Sequence, residues 1–173
     1  MHPLHIAVAR GDTKLTNWLL SFAVDIEVLN YNGHTPLIHS VNLFFEYPDL
    51  QTKQTYLQIA YALVKAGANV PDTLLHNVVA SGHYRLIKIL LHANSCNLNS
   101  KNSNNHSVLD IAVMQFNFQV IDRLLHDRRI NKSTFVQAFG FARKLEGSEA
   151  RRILTLFEYH EKLIKPDSTL GIQ

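Results

Sequence analysis

Apolar residues recur along this chain at helical spacings, in short bursts that polar and glycine-rich segments separate. Leu15, Leu19 and Leu20 form one stripe, and Ile87, Leu90 and Leu91 form another. Each falls on one face of a short amphipathic helix. Thr35-Pro36 reads as a helix start, with a threonine cap and a proline at the first helical position. The bursts come in pairs, and no pair is long enough to bury its own stripe. Neighbouring pairs must therefore stack to make a core. Small or β-branched residues at Ala7, Ser40, Val78 and Ala112 would let first helices approach closely.

The pairs also repeat. His2-Pro3-Leu4, Thr35-Pro36-Leu37, Thr73-Leu74-Leu75 and Ser107-Val108-Leu109 follow one another at intervals of 33, 38 and 34 residues. Behind them stand Leu19-Leu20, Leu63-Val64, Leu90-Leu91 and Leu124-Leu125. Gly11, Gly33, Gly67 and Gly82 mark turns, and Asn105 stands where Gly33 stands two repeats earlier. Such periodic self-similarity marks a stacked-repeat architecture, which works as a surface more often than as a pocket.

The motif is a Thr-Pro-Leu-His turn, a short helix, a glycine turn, a second helix ending in Leu-Leu, then Gly-Ala-Asp-Val-Asn. It resembles the ankyrin repeat, over about residues 2 to 130. His5 and His76 occupy the turn-histidine position, and Asp110 replaces it in the fourth copy. The resemblance implies an all-α ankyrin-repeat solenoid of stacked antiparallel helix pairs. Repeats are expected at 2–34, 35–72, 73–106 and 107–130. A degenerate repeat or helical cap would follow over 131–165, with Ser148 as an N-cap, and then a flexible tail over 166–173. Phe135, Phe139 and Ala142, with Ile153, Leu156, Phe157 and His160, are the apolar stripes of that cap.

The second repeat departs from the family. Thr35 and Gly67 are 32 residues apart, against about 21 in the repeat pattern. The added segment, around 42–53, carries Phe44, Phe45 and Tyr47 and is expected to lengthen the first helix and turn at Pro48-Asp49. Its aromatics are either an exposed anchor or core. The hairpin-like fingers are nearly lost after Val70 and before Ser133, which leaves two, at 27–34 and 99–106. In ankyrin proteins the fingers and first helices form the concave binding face. That implies a protein-binding surface made by Leu29, Tyr31, Asn32 and His34 on one finger, and by Lys101, Asn104 and His106 on the other. Arg10, Asn42, Leu43, Ser81, Met114 and Gln115 would form its floor.

Composition narrows the function. The chain has 173 residues, one domain's worth, and 46% of them are hydrophobic. No apolar run approaches the length of a membrane span. No secretory signal is visible, and Cys96 is the sole cysteine, which suits a reducing compartment such as the cytoplasm. The net charge of +3 arises after residue 120, from pairs at Arg128-Arg129, Arg143-Lys144 and Arg151-Arg152. No metal, phosphate-binding or nucleophile motif occurs, so no catalytic, cofactor or metal residues are expected.

The resemblance therefore implies a non-catalytic, monomeric protein–protein interaction module. Two alternatives stay open. One is a substrate-recruiting adaptor or secreted effector that works with an enzyme supplied by a partner. The other is an electrostatic nucleic-acid binder acting through the basic pairs, which the interleaved glutamates disfavour. High asparagine content and eroded repeats resemble bacterial, host-directed ankyrin proteins, for which the compartment would be the host cytoplasm. A first repeat with no preceding finger leaves open whether Met1 is the native start.

Overall fold

The computed structural model describes residues 2–164. The expected tail over 166–173 lies outside them. Among the described residues there are ten helices and no strand: α1 (Pro3–Ala9), α2 (Thr13–Leu20), α3 (Pro36–Glu46), α4 (Leu50–Lys65), α5 (Asp72–Ser81), α6 (Tyr84–Leu90), α7 (Val108–Met114), α8 (Phe118–Leu125), α9 (Lys132–Lys144) and α10 (Ser148–Ile164). They fall into two compact units, one of residues 2–78 and 83–96, the other of 79–82 and 97–164.

In the first unit α1 packs on α2 and α3, and α4 packs on α2, α3 and α6. Leu37, Leu63, Leu75, Ile87 and Leu90 are fully buried there, as are Ala7 and Ser40. Side-chain caps explain where the helices begin. Thr35 Oγ1 accepts the Ile38 N–H at 3.3 Å, and Asp12 Oδ1 accepts that of Leu15 at 2.9 Å. Each cap satisfies an N–H that the first helical turn leaves without a partner. Leu19 and Leu20, expected in the core, are only half-buried. α2 packs on α1 and α4.

The insertion also differs from expectation. It turns at Tyr47–Asp49 as foreseen, but α3 runs 11 residues and α4 runs 16. The second helix thus takes a large share of the added length, started by Asp49, whose carboxylate accepts the Thr52 N–H at 2.7 Å.

In the second unit α7 packs on α8 and α9, and α10 packs on α8 and α9. Leu109, Ala112, Val120, Ile121 and Leu124 form its core together with Ile153 and Phe157. The cap stripes meet as read: the Phe157 ring lies 5.2 Å from that of Phe135 and 5.5 Å from that of Phe139. Ser148 is the first helical residue of α10, one position inside the cap expected for it. Phe116 has φ +54°, in the α7–α8 turn where the earlier helix pairs carry Gly11 and Gly82.

Candidate functional site

The first finger is closed by one side chain. Asn30 Oδ1 accepts the N–H groups of Asn32 at 2.9 Å and His34 at 3.0 Å, while the Asn30 N–H donates to the His34 carbonyl at 2.9 Å. Gly33 supplies the left-handed turn, φ +70°, that this closure needs. These bonds close the tip, and Tyr31 projects 90% exposed beside an exposed Leu29. At the finger's base the fully buried His5 donates from Nε2 to the Val28 carbonyl at 2.9 Å. His34 Nδ1 lies 3.3 Å from Asn42 Nδ2. Burial, then the neighbouring His5 and His34, hold His39 below the usual imidazole value. Arg10 and Asn32 are exposed. Leu43, expected on the floor, is instead core: only 9% of it is accessible, because its side of α3 faces inward with Val41 and Phe44.

The second finger repeats this construction. Asn102 Oδ1 accepts the N–H groups of Asn104 and His106, both at 3.0 Å, and the Asn102 N–H donates to the His106 carbonyl at 2.9 Å. Asn105 takes glycine's place with φ +62°, a conformation asparagine tolerates better than most residues. Here the presented side chains are engaged. Lys101 Nζ donates to Gln137 Oε1 at 2.6 Å, and the His106 ring meets Phe141 edge-on at 5.4 Å. Asn104 and His106 line a cavity of about 350 Å³ with Val136, Gly140, Phe141 and Lys144. Ser81 and Met114 are exposed, and Gln115 donates its amide to the Ala80 carbonyl. The thirteen expected surface residues thus divide between the units: Arg10, Leu29, Tyr31, Asn32, His34, Asn42 and Leu43 in the first, the remainder in the second.

Finger bases are clamped by equivalent positions. Glu27 Oε1 accepts the Asn69 N–H at 2.8 Å, and Asn99 Oδ1 accepts the Asn131 N–H at 2.9 Å while its amide donates to the Arg129 carbonyl at 2.6 Å. The turn position of the fourth repeat is rebuilt as well. Asp110, replacing the histidine, is fully buried; its Oδ2 accepts from the Ser107 N–H at 2.7 Å, the Ser107 hydroxyl at 2.8 Å and Gln137 Nε2 at 2.7 Å.

The insertion aromatics split between the two roles the sequence leaves open. Phe44 is 4% exposed and therefore core, not an anchor. It is fixed by edge contacts to Phe45 and His83, each at 5.2 Å, and by the Lys53 ammonium 5.4 Å from its centroid. Phe45 and Tyr47 each keep 41% of their surface. Sequence reading overlooked the exposed pair of Trp18, on α2, and Phe22, just past its end, rings 4.8 Å apart. Their spacing of four residues was the available signal.

Several of the basic side chains are occupied. Arg129 makes a bidentate pair with Asp127, at 2.9 Å to each carboxylate oxygen, and that hydrogen bonding holds the Asp127 carboxyl below its usual range. Arg143 lies over Phe139 and Arg152 over Phe118, at 4.3 and 4.4 Å. At the far end of α8, Asp122 and His126 meet His160 of α10.

Comparison with known proteins follows the period. The model of the ankyrin repeat matches residues 1–31 and 72–103. The chain is 30% identical over 89 residues to the E3 ubiquitin-protein ligase XBAT33 of Arabidopsis thaliana, an alignment that covers 51% of this chain and 17% of that protein. It superposes on the crystal structure of EF0377, an ankyrin repeat protein, with a TM-score of 0.58 and 20% identity, over 91% of this chain and 80% of that one. The human ASB11 ankyrin repeat domain aligns at a TM-score of 0.46 and 16% identity, over 99% of this chain and 89% of that domain, too weakly to carry an argument.

Proposed function

This chain is an ankyrin-repeat protein, and we propose that it is a non-catalytic module binding a protein partner through its fingers, the first above all. The observation that carries this reading is Tyr31, 90% exposed on a finger whose backbone is closed by Asn30. A large aromatic held out on a pre-formed loop offers contact area at low entropic cost. Arg10, Leu29, Asn32, His34 and Asn42 belong to the same unit and would complete the face. On the second finger Lys101, Asn104, His106, Ser81, Met114 and Gln115 would form a separate contact, and Phe45 and Tyr47 a subsidiary one.

The test starts from a pull-down with this chain as bait, followed by mass spectrometry and affinity measurement on the partner found. Tyr31→Ala should cost about 2 kcal/mol or more of binding free energy if Tyr31 is a hot spot. The double change Arg151→Glu with Arg152→Glu should leave affinity nearly unchanged. A neutral Tyr31→Ala, together with loss of binding in the charge-reversed variant and a steep salt dependence, would favour a nucleic-acid binder instead.

A second reading has its own support. The similarity to part of an E3 ubiquitin-protein ligase makes substrate recruitment for an enzyme carried elsewhere a reasonable role for the same surface. Co-purification of a ligase with the bait would mark that role. Among the described residues no helix is long and apolar enough to cross a membrane. We propose a cytoplasmic monomer, for which the sole cysteine, Cys96, suits a reducing compartment.

A further inference from the structure

We propose that Asp122, His126 and His160 bind a divalent transition-metal cation, with zinc the best chemical match, and that the ion ties α10 to the end of α8. The three residues each offer a donor atom, and these atoms lie within 4.8 Å of one another. Asp122 and His126 are one helical turn apart, so both leave the same face of the helix end. The third donor comes across from the neighbouring helix.

Two features of His160 point to a ligand. The residue is 3% exposed, and its Nε2 has no hydrogen-bond partner, which is costly for a buried polar atom. Nε2 nonetheless lies 3.7 Å from Asp122 Oδ1. That separation is too long for a good hydrogen bond. It is just above the edge of a tetrahedron around zinc, about 3.3–3.6 Å for metal–ligand bonds of about 2.0–2.2 Å.

The chemistry of the donors agrees. Two imidazoles and one carboxylate suit zinc and its neighbours rather than calcium or magnesium. His126 Nδ1 donates to the Asp122 backbone carbonyl at 2.8 Å. That fixes the tautomer, as outer-shell partners of metal-bound histidines do, and leaves the lone pair on Nε2. The outward side of the cluster is open, with the Asp122 and His126 side chains about half exposed, so a cation can enter and water can take the fourth position.

The experiment titrates zinc, and separately cobalt(II), into the metal-free chain. Zinc should raise the melting temperature by several degrees, and cobalt(II) should give the visible absorption of a tetrahedral site. His126→Gln and Asp122→Asn, both at half-exposed positions that leave the core intact, should each weaken affinity by about tenfold or more. The chain has ten histidines, so adventitious binding elsewhere is the alternative to exclude. No cobalt spectrum, or zinc affinity unchanged in both variants, would overturn the site.

Discussion

Asp110 occupies the turn-histidine position of the fourth repeat, and the structure shows what its carboxylate does there. Oδ2 takes two donors from Ser107 and one from Gln137, all within 2.8 Å, inside a fully buried helix start. Asp110→Ala leaves the Ser107 N–H and hydroxyl without an acceptor, each costing about 1–3 kcal/mol when buried. Gln137, half-buried, can turn to water and loses little. Against this, removing the carboxylate relieves its own burial, since Oδ1 has no hydrogen-bond partner. The balance is a destabilisation of about 2–4 kcal/mol, with Asp110→Asn less damaging because the amide oxygen can still accept from the Ser107 N–H. Urea denaturation of the wild type and both variants would measure it, provided the denaturant slopes agree. Asp110→Ala within about 0.5 kcal/mol of wild type, the range of ordinary surface changes, would refute the claim that this carboxylate organises the turn.

Leu90→Ala, at a fully buried position of α6, should destabilise by about 2–5 kcal/mol through lost transfer energy and a residual cavity; an effect under about 1 kcal/mol would remove Leu90 from the core. Stability should also fall on acidification. His39 has a depressed folded pKa, so the unfolded chain binds its proton first; its contribution is intact above the unfolded value, about 6.5, and is lost as pH drops through the folded one. Thermal melts from neutral to mildly acid pH should show a shallower decline for His39→Gln than for wild type, and parallel declines would exclude His39 as a source.

The repeats were legible because stacking imposes one period on every copy. Leu63, Leu90, Leu91, Leu124 and Leu125 are buried as their shared place requires, and Asn105 does adopt the left-handed turn of Gly33. Departures came where a neighbour distant in sequence decides. Leu19 and Leu20 repeat the pattern, yet they stay half-buried on α2. Phe44 looks like part of an added, exposed segment, yet His83 and Lys53 enclose it. Asp110 could be read as a missing histidine, whereas its Gln137 partner lies 27 residues on. Asp122 and His126 went unnoticed in the sequence, where no motif spacing leads from them to His160.

The two fingers share a scaffold and differ in what it presents, and that difference bears on function. Asn30 and Asn102 make matching sets of bonds, so both tips are equally pre-formed. On the second finger Lys101 is spent on Gln137 and His106 packs on Phe141, so a partner there must displace bonds already made. On the first, Tyr31 is 90% exposed. A partner that covers it gains most of the ring's burial and loses only its hydration. At about 25 cal/mol per Å² of apolar surface, and 150–250 Å² for an aromatic side chain, that gain is of the order of several kcal/mol before association costs. If the protein binds a partner as we propose, the first finger is where binding free energy would be least offset by what the fold already uses.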